Sequence, residues 1–217
     1  MKARKSESAG GTATGKRNVG ANISYISGRV WTGGDLPSDL GEEAMLADLV
    51  AIQNAGITDI LDNRIEWSDA EFIAAHAPDM YYLWNGADDA GQVMPDQWFF
   101  DGVDFALIAL EDPGAQVLAH CHMGINRGPS MAFAILLATG MDPVETLAAI
   151  RVARPIAAIS YAGDALSWWH RMTKTPESVA KRQRAEVATW HRRNPLDVVR
   201  IIRTIRSHED ANRQLPA

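Results

Sequence analysis

Apolar positions along this chain change period repeatedly, and each change marks a switch between strand and helix. Short β-rich runs fall at Ile23–Ile26 and Arg29–Thr32, broken by Ser27-Gly28 and stopped by Gly33-Gly34. Ala44-Met45-Leu46, Leu49-Val50 and Ile52 then recur at helical spacing, with Gly56 as a C-terminal stop. Ile57–Leu61 reads as a strand, Ser68–Ala77 as a short helix and Met80–Trp84 as another strand. That strand opens into a polar loop from Asn85 to Met94. Helical periodicity returns over Pro95–Leu110, carried by Trp98, Phe99, Val103, Phe105-Ala106 and Leu110, before a short buried strand at Gln116–Ala119. Pro129–Thr139 is an apolar helix ended by Gly140. Asp142-Pro143-Val144-Glu145 starts the next one with an Asp cap, Pro at the first position and Glu three residues after the cap. It runs to about Arg151, and another helix covers Tyr161–Met172. Strands alternating with helices predict an α/β fold: a central, mostly parallel sheet of about four to five strands flanked by helices.

The two ends differ from this middle. Residues 1–20 are rich in Gly, Ser, Thr, Ala and Lys without apolar periodicity, which predicts a disordered basic arm. Residues 21–173 form the expected folded domain, and residues 174–217 a basic helical extension. In the extension, Thr175-Pro176-Glu177 and Asn194-Pro195-Leu196-Asp197 each start a helix. The second carries an apolar stripe of Val198, Val199, Ile201, Ile202 and Ile205 beside Arg200, Arg203 and Arg206. Its expected role is packing on the body or self-association, with an anionic membrane surface or nucleic acid as the alternative partner.

Charge sharpens this division. The net charge of −6 hides a body, residues 18–170, with five arginines, no lysine and 21 acids. Residues 171–217 hold 11 basic residues against five acids. Such a body repels polyanions except where a local cation reverses the field. No apolar run is long enough to span a bilayer, and the basic start lacks the apolar stretch of a secretory signal. With a single cysteine and no internal disulfide, the expectation is a reducing, cytoplasmic setting.

That cysteine carries the chemistry. It stands in His120-Cys121-His122-Met123-Gly124-Ile125-Asn126-Arg127, between the apolar strand and the helix that opens with Gly128-Pro129-Ser130. A strand–loop–helix turn aims backbone N–H groups and a helix N-terminus at the thiol, the setting in which a thiolate is stabilised. The amides from His122 to Arg127 form an anion nest, Gly124 permits the tight turn, and Arg127 grips two phosphate oxygens with its planar fork. His120 is expected to fix the loop through hydrogen bonds and help hold the thiolate. In-line displacement also needs an acid on a loop outside the strands, and Asp88 and Asp89 stand 33 and 32 residues before Cys121.

Residues from about 23 to 172 resemble the dual-specificity phosphatases of the protein tyrosine phosphatase superfamily. The resemblance rests on Val117-Leu118-Ala119-His120-Cys121, Gly124, Arg127 and the later Arg154-Pro155. Ala55-Gly56-Ile57-Thr58-Asp59-Ile60-Leu61 and Tyr82-Leu83-Trp84-Asn85-Gly86-Ala87-Asp88-Asp89 add to it. It implies a phosphotyrosine protein phosphatase-like fold with no cofactor and no metal. It further implies Cys121 as nucleophile, Arg127 as phosphate clamp, and Asp89 (Asp88 second) as acid and base. The implied substrate is a phosphorylated protein or peptide, turned over through a thiophosphoryl-enzyme intermediate.

Two departures qualify the match. The family has Ser or Thr directly after the arginine, where its hydroxyl stabilises the departing thiolate; here Gly128 takes that place. Slow breakdown of the intermediate is expected, with Ser130 or His122 as partial substitutes. Asn126 before the arginine is similar to the RNA 5′-triphosphatases of mRNA capping, which makes such an activity one alternative and a weakly active phosphate-binding pseudophosphatase another. Sulfur or arsenate transfer on the same loop is the remaining chemistry. The loop has no lysine, which disfavours inositol phosphate headgroups. A small body predicts a shallow cleft. Asn63-Arg64-Ile65-Glu66-Trp67 reads as an ordinary strand-end turn, with one rim of the cleft as its alternative role.

Overall fold

The computed structural model describes residues 20–213, so the basic arm expected over residues 1–20 lies outside the described residues save for Gly20. Among the described residues five strands form one sheet: β1 (Ile23–Ser27), β2 (Val30–Gly33), β3 (Asp59–Arg64), β4 (Tyr81–Ala87) and β5 (Val117–His120). Their order is β1-β2-β5-β3-β4, with β1 and β2 antiparallel and every other pairing parallel. The β1–β2 turn places Gly28 and Arg29 at φ 55 and 69, the doubly left-handed backbone of a tight hairpin. Arg29 is held in that conformation by its guanidinium, which donates to the carbonyls of Leu110 (2.7 Å) and Ala115 (3.1 Å).

Helices cover both faces, so β2, β3 and β5 are buried along their whole length. One face carries α1 (Glu42–Asn54) and α2 (Ala70–His76), packed through Leu49, Ile52 and Ile73 onto Ile60 and Leu118. On the other lie α3 (Asp96–Leu110), α4 (Arg127–Ala138), α5 (Pro143–Ala153) and α6 (Ala162–Met172). α4 is the axis of that layer, buried from Arg127 to Leu137 between the sheet and the helices α3, α5 and α6. The predicted cap of α5 is present: Asp142 accepts from the amides of Val144 (2.8 Å) and Glu145 (3.1 Å).

α7 (Glu177–Arg193) and α8 (Val198–Arg213) follow. α7 packs on α5 and α6, burying Ala180 and Val187. The Arg151 guanidinium stacks on Trp190 at 5.1 Å and donates to the Asn194 carbonyl.

Two strands run further than apolar patterning predicts. β3 continues through Asp62, Asn63 and Arg64, all buried: Asp62 and Arg64 bond each other, and Asn63 Nδ2 donates to the Leu61 and His120 carbonyls. β4 takes in Asn85-Gly86-Ala87, which patterning assigns to the loop; the Asn85 side chain and carbonyl bond Trp98 of α3 and tie this end of the strand to that helix.

Candidate active site

β5 is the middle strand, flanked by β2 and β3, and its C-terminal end delivers Cys121 into the crevice from which α4 departs. Cys121 is 2% exposed. The loop between it and Arg127 owes its shape to donors behind it. The carbonyl of His122 accepts from the Asp35 amide (3.0 Å), and that of Ile125 from the Ala158 amide (2.7 Å). The carbonyls of Met123 and Gly124 accept from Arg154 at 3.0 and 2.5 Å. In a trans peptide the next residue's N–H points opposite to the carbonyl. Four carbonyls drawn outward therefore leave the amides of Met123, Gly124, Ile125 and Asn126 facing the cup beside Cys121, an anion nest. Gly124 (φ 63) is required there, since a Cβ would fall 2.3 Å from the Arg154 guanidinium and 2.5 Å from the Gly33 carbonyl carbon.

Arg127, the first residue of α4, is buried, and Glu66 grips it with two hydrogen bonds of 2.8 and 2.7 Å to Nη1 and Nη2. Nη1 also donates to the Ala87 carbonyl (2.8 Å). Its Nε has no hydrogen-bond partner among the described residues, and Asp89 Oδ2 stands 3.7 Å from it. Burial would lower the basicity of Arg127, but the Glu66 hydrogen bonds and the charges of Cys121, Glu66 and Asp89 hold it above its ordinary value. Burial likewise pushes Glu66 up, and Arg127 outweighs it, leaving that carboxyl below the usual range. Glu66 thus corrects the sequence reading: its segment is part of the site rather than an ordinary turn.

His120 also differs from expectation. Its ring makes no hydrogen bond to the loop: Nδ1 is unpartnered among the described residues, and Nε2 faces Asp62 at 3.7 Å. Asp62 is committed elsewhere, accepting from Arg64 Nε (2.9 Å), Arg64 Nη2 (2.6 Å) and the Tyr82 hydroxyl (2.5 Å). Burial pushes the His120 imidazole below its usual 6.5, which favours a neutral ring. Arg154 and Ala158 brace the loop instead.

Of the paired acids, Asp89 reaches the loop. Its Oδ1 accepts from Asn126 Nδ2 (2.6 Å) and from the Tyr161 hydroxyl (2.9 Å). Asp88 is exposed, and its backbone carbonyl accepts from Gln92 (2.6 Å).

Gly128 has a steric reason. A Cβ there would sit 2.9 Å from the Ala119 carbonyl oxygen and from two backbone atoms of His120, because the start of α4 lies close against the end of β5. Nor is Ser130 a spare hydroxyl: it is fully buried, donates to Asn126 Oδ1 (3.4 Å) and accepts from the Tyr161 amide (3.3 Å). His122 is turned to Asp35, its Nδ1 at 2.7 Å from the carboxylate, and packs edge-on against Trp67. We expect Gly128→Ser to lower stability by about 1–3 kcal/mol through overpacking and not to hasten turnover. Urea unfolding beside rapid-quench kinetics checks both, and a stable, faster variant would contradict the crowding argument.

No family model matches the sequence. Solved structures do match the fold. Human DUSP28 superposes with a TM-score of 0.55 at 14% identity, covering 73% of this chain and 99% of that one. DUSP15 gives 0.52 at 18% identity over 77% of this chain and 95% of its own. PTPMT1 in complex with PI(5)P gives 0.52 at 18% identity, covering 77% and 97%. The chain has the fold of the dual-specificity phosphatases.

Proposed function

We propose that this protein is a cysteine-dependent phosphatase that hydrolyses phosphomonoesters, with phosphotyrosine or phosphoserine/threonine in proteins as the substrate class. The observation that carries the reading is the split use of Arg127. Glu66 occupies the Nη1/Nη2 edge of its fork, while the buried Nε donor beside the amide nest has no hydrogen-bond partner among the described residues, the Asp89 carboxylate standing 3.7 Å away. A phosphoryl dianion supplies the charge and acceptor oxygens that such an edge and such a nest fit.

In the first step Cys121 Sγ, as thiolate, forms a bond to phosphorus while the ester P–O bond breaks. The leaving oxygen takes a proton from Asp89. In the second, Asp89 accepts a proton from water as the water oxygen bonds phosphorus and the S–P bond breaks, releasing phosphate. The nest and Arg127 neutralise the equatorial oxygens in both transition states.

Charge disfavours RNA triphosphates and inositol phosphates. Against Arg127 stand Glu66 and Asp89, and Arg154 is spent behind the loop on Met123 and Gly124. Asn126, the residue that suggests a triphosphatase by sequence, has a local role in bonding Asp89. The test is phosphate release from an aryl phosphate, a phosphopeptide panel and 5′-triphosphorylated RNA. Acid quench follows, after mixing with ³²P-labelled phosphopeptide. Label retained on the protein, with release from the monoesters, is expected. Release from the RNA alone, or turnover with no labelled protein, overturns the proposal.

A further inference from the structure

Three segments distant in sequence meet at Asp89: the loop after β4, the end of the phosphate loop at Asn126, and the entry to α6 at Tyr161. Donor and acceptor roles there are set by the surrounding backbone. Asn126 Oδ1 accepts the Ser160 amide at 2.6 Å, so the atom turned to Asp89 is its Nδ2, a donor. The Tyr161 hydroxyl accepts the Gly91 amide at 3.3 Å, and its own proton has Asp89 Oδ1 at 2.9 Å as the nearer acceptor, with Gln92 Oε1 out at 3.5 Å. Both donors converge on Oδ1. Oδ2, 3.7 Å from Arg127 Nε, accepts neither of them.

We propose that Asn126 and Tyr161 are positioning residues that pin the acid loop over the phosphate loop and keep the Asp89 proton on Oδ2, the oxygen facing the substrate. The inference rests on the phosphatase reading and deepens it. With both acceptor positions of Oδ1 filled, a protonated Asp89 carries its hydrogen on Oδ2. From there it passes to the leaving oxygen as the P–O bond breaks, and to the same Oδ2 a proton returns from water in the second step. Burial and the neighbouring carboxylate push the Tyr161 phenol up to about 12, so it remains a neutral donor at physiological pH. Asn126 does double work, since the Ser160 amide that it accepts ties the phosphate loop to the start of α6. This is a specific use for a residue that otherwise only marks a departure from the resembled family.

A leaving-group series tests the proposal. Tyr161→Phe removes one hydroxyl and Asn126→Ala one amide; kcat/KM is measured for phenyl phosphate, a poor leaving group, and 2,4-dinitrophenyl phosphate, which needs no acid. Both variants are expected to lose about tenfold on the first and under about twofold on the second, a weaker copy of the loss in Asp89→Asn. Equal losses on the two substrates, or none, overturn the positioning role. If Asp89→Asn itself shows no leaving-group dependence, the acid assignment fails and the proposal with it. Loss of the labelled intermediate in the unaltered protein would mark failure of the phosphatase reading instead. Should Asn126→Ala fold poorly by circular dichroism, Tyr161→Phe decides alone.

Discussion

Cys121→Ser is expected to lower phosphate release from aryl phosphates on the order of 10⁴-fold or more, with little change in the unfolding midpoint. Serine fits the cavity, which is closed around a side chain 2% exposed, so structure is preserved while chemistry is not. A hydroxyl needs a general base to become a nucleophile, and the site offers none in the right place. His120 precedes the nucleophile on the strand, but its Nε2 faces Asp62 and burial disfavours its protonated form. Asp89 is held toward Asn126 and Tyr161. A cysteine nucleophile, in the proposed mechanism, needs no such base. Steady-state kinetics with thermal unfolding check the result. Activity within about tenfold of the unaltered protein would remove Cys121 from the mechanism.

Local signals made much of this architecture legible. The helix-to-strand alternation, the Asp142 cap and the glycine of the loop are short-range features, and each appears where patterning places it. Polar residues that behave as apolar ones escape such a reading. Asp62 and Arg64 sit inside a fully buried strand because they neutralise each other at 2.6 Å, a pairing invisible to hydrophobic periodicity. Glu66 was hidden for another reason. Its partner, Arg127, lies 61 positions later in the chain, and no spacing rule links a strand-end turn to a helix start. Tyr161 was legible only as a helix boundary. A signal for Glu66 did exist, since an arginine buried at a helix N-terminus needs a carboxylate, and the turn after β3 opens at the same C-terminal end of the parallel strands as the loop. For Gly128, sequence comparison marks an absence, whereas the backbone shows a requirement: the closeness of α4 to β5 that seats Arg127 excludes the hydroxyl.

Arg127→Lys is the second large expected effect, a fall in kcat/KM on the order of 10³-fold, or about 4 kcal/mol in transition-state stabilisation. Positive charge is kept, so the loss isolates geometry. Arginine meets Glu66 through Nη1 and Nη2 and the Ala87 carbonyl through Nη1, and still presents Nε to the cup. A lysine ammonium is a single point; pairing with Glu66 draws it off the phosphoryl group, and turning to the phosphoryl group leaves the carboxylate unpaired. The same reasoning assigns Glu66 an indirect role. Glu66→Gln keeps a hydrogen bond but drops the charge, so its own loss should be near tenfold and appear mainly in kcat/KM. In the double variant Arg127→Lys/Glu66→Gln the two losses should not add, because Glu66 acts on the substrate through the guanidinium alone. Full additivity in that cycle would mean that Glu66 contacts the substrate directly, and the divided fork would have to be abandoned.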